Sequence, residues 1–411
     1  MSLMVGNKGW TTERRTASSA AAMIGLLALT MSACGSGTKS SAGSGGSSNA
    51  PASGAAAASP GGSSCDLGHV KKKIDAQKVI ADWTAPGPAF DAKKVSGKTI
   101  YTIQENTANP FSATIVTGIK EVASKVGIKV VDYPNQGDRT QWQQGIQQAI
   151  TAKAAGIIFV GGTIGPIYFK AQAEQAKQAG LKLVTVVDTD VTQPAEPLTD
   201  GRVAQPYAEA ARLNADWIIN DTQCKANVLI LTSNELIAGD INTKAAKDEF
   251  DKYCGSGCKV TDKNIPIPKW SSQIQPTVQS GIQSTPNLNY VFPLYDSMIQ
   301  FVTPAIQLAG ANARVKITSF NGTPAFLQLI KSGNTVKSIV GENEANLGYG
   351  GMDQMMRLLT GVPAVTSGDE HIPLRVFDDS NVAEAGNPPA FGVGYGEKWR
   401  QGYLKLWGIA Q

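Results

Sequence analysis

The sequence predicts an α/β protein made of two doubly wound, mostly parallel sheets, one following the other. Three observations predict it. From Gly97 onward, short apolar runs that read as strands alternate with stretches of helical spacing. The alternation passes through four strands and then restarts at Glu209. The chain beyond about Cys65 is long enough for two domains.

The elements follow in order. Lys98 to Gln104 reads as a strand, and Phe111 to Val126 carries Ile115, Ile119, Val122 and Val126 at helical spacing, stopped by Gly127. Strand Ile128–Tyr133, helix Gln141–Ala155, strand Ile157–Val160, helix Ile167–Ala179 and strand Leu181–Val187 complete the first lobe. The second begins with helix Glu209–Ile219 and strand Val228–Thr232. It continues with helix Thr243–Tyr253, strand Lys259–Ile265, helix Gln275–Ser284, strand Tyr290–Phe292, helix Ser297–Ala309 and strand Val315–Phe320. The apolar runs 157–160 and 181–187 are those of strands buried on both faces. Two such lobes in succession leave a cleft between them, and ligands of doubly wound sheets bind outside the carboxyl ends of the strands. The loops after Gln104, Val187, Thr232, Ile265, Phe292 and Phe320 are therefore the ones to search.

The N-terminus carries a different message. Lys8, Arg14 and Arg15 precede an apolar stretch from Ala20 to Met31, too short for the roughly 20 residues that span a bilayer. A basic segment followed by a short apolar one is an export signal. It ends in Ser32-Ala33-Cys34-Gly35, which resembles a bacterial lipobox with Met31 in the usual leucine position. Cys34 is thus expected to be lipidated; the alternative is a plain secretory signal with a chance cysteine. Residues 35–64 are almost entirely Gly, Ser, Ala and Pro, a composition that cannot bury a core and serves as a flexible tether.

Charge and cysteine usage narrow the function. The formal net charge of +4 falls to +2 without residues 1–33, which hold three basic residues and one acidic, and no basic cluster marks a nucleic-acid binder. Beyond Cys34 four cysteines remain, an even number in an exported chain. We expect Cys254 to pair with Cys258 across a tight CxxxC loop, and Cys65 with Cys224. A zinc site, the alternative, needs about four ligands, and the chain has only two histidines, His69 and His371. No metal and no cofactor is expected.

The cleft loops resemble, station by station, those of type I periplasmic sugar-binding proteins, the ribose-binding group. Asn109-Pro110-Phe111 is similar to the opening signature. Val186-Val187-Asp188 resembles the segment whose aspartate holds sugar hydroxyls, and Tyr295-Asp296 stands where the family has Asn-Asp. Ser319-Phe320-Asn321-Gly322-Thr323-Pro324 resembles Gly-Phe-Asp-Gly-Thr-Pro, and Ile339 to Asn343 resembles the strand that ends in a ligand-binding glutamine. The resemblance covers about 97–378. It implies a binding protein that delivers its ligand to an ABC permease, held outside the cell membrane as a monomer. It also implies a division into a first lobe of 97–204 and 343–375 and a second of 205–342 and 376–411, after an extension at 65–96. Crossings are expected near Gln205, Glu342 and Arg375.

The residues themselves support a polyol site. Glu105, Asn109, Asp188, Asn321 and Glu342 supply polar groups, while Phe111 and Trp270 offer apolar faces. For Phe111 the plainer alternative is core packing, and for Trp270 a surface loop. Several positions depart from the family pattern: Thr189 replaces an arginine, Tyr295 an asparagine, Ser112 a phenylalanine, Asn321 an aspartate and Glu342 a glutamine, while Lys244 lies near another arginine position. The ligand is therefore expected not to be ribose itself. An acidic cleft of Glu105, Asp188 and Glu342 permits a neutral polyol and also a cation.

Two segments stand outside this pattern: 70–88, partly helical in spacing, and 387–411, rich in aromatics that are expected to pack against a lobe. An enzyme is the first rival reading, but there is no Gly-rich phosphate loop, GxSxG or HExxH, and catalysis is not expected. A sensor subunit presenting its ligand to a membrane kinase or chemoreceptor is the second, and the sequence does not separate it from transport.

Overall fold

The structure, a computed structural model, describes residues 65–236, 238–333 and 335–409, with Asp188 described by its backbone alone. The expected signal, Cys34 and the tether lie outside the described residues. In chain order the first part holds α1 (Leu67–Lys78), β1 (Thr99–Gln104), α2 (Pro110–Val126), β2 (Lys129–Tyr133), α3 (Arg139–Thr151), β3 (Gly156–Val160), α4 (Lys170–Gln178), β4 (Lys182–Asp190) and β5 (Gly201–Gln205). Then come α5 (Tyr207–Asp221), β6 (Asn227–Thr232), α6 (Gly239–Tyr253), β7 (Lys259–Asn264), α7 (Trp270–Ser284), β8 (Tyr290–Pro293), α8 (Ile299–Leu308), β9 (Lys316–Asn321), α9 (Pro324–Lys331) and β10 (Val336–Glu342). The chain ends with α10 (Glu344–Thr360), β11 (Leu374–Asp378) and α11 (Lys398–Leu406).

The strands form two sheets. The first has the order β2-β1-β3-β4-β5 and is parallel throughout. The second has the order β11-β10-β9-β8-β6-β7 and is parallel except for β11, which runs against β10. Every residue of β3 is buried, as its unbroken apolar run requires. The predicted alternation is present in both lobes, and the fold is the expected pair of doubly wound sheets.

Periodicity did not single out β5, α9, α10, β11 or α11, and for β5 and α10 there is a plain physical reason. β5 reads Gly-Arg-Val-Ala-Gln, but Arg202 is buried, with its donors on the carbonyls of Gln193, Pro194 and Ser367. α10 contains Gly348, Gly350 and Gly351, residues that weaken a helix in isolation. The glycines serve packing instead. A Cβ on Gly348 would lie 2.3 Å from the Ile115 carbonyl, and one on Gly118 2.6 Å from that of Ala345, so α2 and α10 meet backbone to backbone. This contact returns α10 to the first lobe.

The chain changes lobes between β5 and α5, between β10 and α10, and ahead of β11. The third crossing, expected near Arg375, falls just ahead of Leu374, where β11 joins the second sheet by antiparallel pairing of Leu374–Asp378 with Ser338–Glu342.

Both terminal segments run over both lobes. α1 packs on α5, where Cys65 is bonded to Cys224 and Lys73 reaches Asp216 at 2.9 Å and Glu249 at 3.0 Å. Farther along, Ala92 and Val95 belong to the core of the first lobe. At the other end, Val382, Ala385 and Tyr395 join the second lobe's core, whereas Trp399, Tyr403, Leu406 and Trp407 join that of the first. The expected placement of all of 376–411 on the second lobe is thus corrected for α11. Its aromatics cluster on Tyr349, and the Trp407 indole donates to Asp353 at 2.7 Å. The two segments also bond to each other, through Phe90 N–H to the Leu406 carbonyl and Ala92 N–H to that of Trp407.

The second expected disulfide, Cys254–Cys258, is also present. The two bonds differ in reach: one joins residues 159 apart in sequence, the other residues 4 apart. Constraint of the unfolded chain grows with loop length. Cys65→Ser with Cys224→Ser is expected to cost about 2–5 kcal/mol in denaturant unfolding. The Cys254/Cys258 pair should cost clearly less, and equal midpoints for the two double variants would contradict the assignment.

Candidate functional site

The carboxyl ends of the two sheets face each other, and the first side chain there is Glu105, just after β1. Its carboxylate accepts from Asn109 Nδ2 at 2.6 Å, Ser112 Oγ at 3.3 Å and Thr163 Oγ1 at 3.2 Å. Burial of the carboxylate raises its pKa, and these three bonds oppose the rise. The space comes from Gly161, whose φ of 130° suits glycine and whose missing Cβ would fall 2.7 Å from the Glu105 side chain. Asn109 also caps α2, accepting from Phe111 N–H at 3.1 Å with Pro110 at the first helical position. Phe111 is buried in the core of the first lobe.

The second lobe brings Tyr295, Asp296, Asn321 and Glu342 to the same edge, after β8 and at the ends of β9 and β10. Asp296 accepts from the N–H groups of Gly322 (3.1 Å) and Thr323 (2.8 Å) and from Thr323 Oγ1 (3.1 Å). Thr323 Oγ1 also lies 2.7 Å from Glu344 Oε1. A hydroxyl has one proton, so it cannot donate to both carboxylates at once. Burial resolves this: Asp296 is pushed up to about 7 and Glu344 well above its ordinary value, so a protonated Glu344 can donate to Thr323, which donates to Asp296.

Glu342 is 1% exposed. Its Oε1 has a single contact, Asn321 Nδ2 at 3.4 Å, and its Oε2 has none. Burial pushes it up to about 8, with Asn321 and Gln205 opposing and the charge of Asp296 adding to the rise. Below it, the Tyr395 hydroxyl donates to the Glu342 carbonyl at 2.8 Å. That hydroxyl fits only because residues 322 and 341 are glycines, where a Cβ would come within 2.7 Å and 2.4 Å of it.

Several buried polar atoms at this edge have no hydrogen-bond partner: both amide atoms of Gln205, Asn242 Oδ1, the Tyr295 hydroxyl and Glu342 Oε2. The Gln205 amide lies near Glu342 and the Asn242 amide near Tyr295, close enough to bias their protonation, but neither contact has hydrogen-bond geometry. Unsatisfied buried groups are rare and each calls for an explanation. The lobes are drawn together over them: a Cβ on Gly162 of the first lobe would lie 3.1 Å from Leu236 of the second.

The structure does not bring every expected residue here. Lys244 is excluded. α6 begins at Gly239 and buries Asn242, Ala245, Ala246, Glu249 and Phe250, so its phase turns Lys244 outward, 76% exposed and 2.5 Å from Asp248. Asn242 takes the inward position. Trp270 opens α7 half-buried, with its indole N–H donating to Ser233 Oγ (2.9 Å) and the Ile265 carbonyl (3.1 Å), at the ends of β6 and β7. β4 does not stop at Val187 but runs on to Asp190, with a shift in its pairing to β5. The backbone of Asp188 lies in this strand, and its side chain is outside the described residues. The residues that sequence reasoning missed are Gln205, Asn242 and Tyr395. Only Tyr395 left a signal, in the aromatic C-terminal stretch.

The arrangement has known counterparts. The model of a periplasmic binding protein domain family matches residues 100–363. A solute-binding protein of an ABC transporter from Bacillus halodurans, solved with bound myo-inositol, is similar at 16% identity, with 71% of this chain and 98% of that one covered and a TM-score of 0.61. One from Agrobacterium vitis with bound allitol is similar at 16% identity, 71% and 98% coverage and a TM-score of 0.60. An ABC sugar transporter subunit from Rhodobacter sphaeroides is similar at 17% identity, 70% and 100% coverage and a TM-score of 0.59. No curated protein matches.

The raised carboxyls make a pH prediction. Glu342 and Asp296 hold protons more tightly folded than unfolded, so their contribution to stability is greatest at low pH and is lost as pH rises from about 4 through about 8. Glu344 and Glu105 act in the same direction; Tyr295 and Tyr395 are further ionisable groups at this edge, and Arg375 acts on Tyr395. Glu342→Gln should make the fall in melting temperature between about pH 5 and pH 8 shallower. An unchanged slope would show that Glu342 does not titrate as described.

Proposed function

The chain belongs to the periplasmic binding protein domain family, and from that premise we propose that it is a lipid-anchored extracytoplasmic receptor that captures a small polar molecule, a sugar or polyol, and delivers it to an ABC importer. The family is one of binding proteins, so the cleft is a place of capture and not of catalysis. One observation carries the ligand class: Gln205, Asn242, Tyr295 and Glu342 bury polar atoms without partners where the two sheets meet. A molecule with several hydroxyls would satisfy such a set, and relatives of the same fold were solved with allitol, D-allose and myo-inositol.

Each remaining residue has a part in this reading. Glu105, Asn109 and Asn321 are polar groups of the cleft wall, and Phe111 and Trp270 are its apolar faces. Asp188, on the strand beside Gln205, is a hydrogen-bond acceptor for ligand hydroxyls. Closure occurs at the three crossings between lobes, and a ligand touching both lobes stabilises the closed form by its differential affinity. Attachment in this reading rests on Cys34, where the N-terminal apolar stretch ends in Ser-Ala-Cys-Gly.

Two experiments test the reading. A thermal-shift screen of sugars and polyols should yield a stabilising ligand, and Asp188→Ala should then weaken its binding by roughly tenfold to a hundredfold in calorimetry. Parent-like affinity in a variant folded by circular dichroism would remove Asp188 from the site. Separately, Cys34→Ala should move the protein from the membrane fraction to the soluble one, and a variant that remains membrane-bound would refute the anchor.

A further inference from the structure

We propose that the molecule captured here carries an amino group, received as an ammonium ion by the Glu342 carboxylate, and is thus an amino sugar or amino polyol. This rests on the cleft being the capture site.

The first argument is the state of Glu342. It is closed off from solvent, one of its oxygens has a single long contact and the other has none. A buried carboxyl in that position stays neutral or meets a cation. Among the described residues no cation is seen paired with it. Among the described residues no Lys or Arg side chain pairs with or hydrogen-bonds to Glu105, Asp296, Glu342 or Glu344. Lys244 is turned away onto Asp248. Arg375 is engaged with the carbonyls of Lys78 and Gly394 and with Glu384, and Arg202 with backbone carbonyls and Thr189. The counter-charge can therefore come from the ligand.

The second argument is hydrogen-bond type. With Glu342 ionised, the unpartnered atoms here are three acceptors, Gln205 Oε1, Asn242 Oδ1 and Glu342 Oε2, against two donors, Gln205 Nε2 and Asn343 Nδ2; the Tyr295 hydroxyl can serve as either. This set favours a ligand rich in donors. An ammonium brings three donors and no acceptor, whereas a hydroxyl brings an acceptor with every donor. Carboxylated or phosphorylated sugars are excluded, because they would add anions to an edge already holding four acids.

Proton balance separates the two ligand types. An ammonium seated on Glu342 displaces the carboxyl proton to solvent, and the buried ion pair remains. Amine binding should therefore release protons near neutral pH and tighten as pH rises, until the amine itself loses its charge, near about pH 8 for an amine flanked by electron-withdrawing hydroxyls and higher for a terminal alkyl amine. A neutral polyol releases no proton and does not tighten with pH.

The test is calorimetry on the purified full-length protein with matched pairs: 1-amino-1-deoxysorbitol and sorbitol, glucosamine and glucose, an amino-inositol and myo-inositol. Each is run at several pH values and in buffers of different ionisation enthalpy. One amino member is expected to bind at least about tenfold tighter than its neutral partner, with proton release, and Glu342→Gln should bring that preference to within about threefold. Proton release is measured on the parent protein, so the outcome does not depend on the variant folding. Neutral members binding as tightly as amino ones, without proton release, would overturn the amine inference and leave the sugar-capture reading standing. A panel in which nothing binds would overturn both.

Discussion

Carboxyl groups buried without a cation are costly, and Glu105, Asp296, Glu342 and Glu344 all gather where the two sheets meet. The surrounding structure serves to tolerate them. Glu105 is held by three side chains that come from the α2 cap, from α2 itself and from the loop after β3. Asp296 takes two backbone N–H groups from the turn after β9 and shares Thr323 with Glu344. Glu342 alone is left short, and it lies next to the crossing from β10 to α10. The least satisfied acid thus sits at a point where the lobes join.

Much of this was legible in the sequence, because strand and helix periods are local properties. Unbroken runs such as Ile157–Val160 announce buried parallel strands, and an even count of cysteines in an exported chain announces the two bonds observed. The site was legible only in part. Glu105, Asn109, Tyr295, Asn321 and Glu342 follow strands, so the rule that ligands sit at strand carboxyl ends reached them. Lys244 and Asn242 are two residues apart on a helix, and the choice between them depends on phase. That phase is set by the packing of Ala245, Ala246 and Phe250, which no local pattern near Thr243 reveals. Gln205 ends a strand whose buried arginine disguised it. Tyr395 is more than fifty residues from the glutamate whose carbonyl it holds, and nothing in its own neighbourhood indicates that partner.

The glycines show the same division between local and tertiary causes. Those of α10 argue against a helix when read alone, yet they permit the contact with α2 that brings the helix back to the first lobe. Gly161, Gly322 and Gly341 leave room for Glu105 and Tyr395. In each case a residue that is unfavourable by local propensity is required by a neighbour distant in sequence.

The disulfide at the start of the described chain has a mechanical consequence. Cys65 enters the fold on the second lobe and is locked there to Cys224. With an anchor upstream, any load along the tether falls on that lobe and not on its partner. If Cys34 is lipidated as proposed, the second lobe is the held part, and movement of the first relative to it is what a docked partner would read.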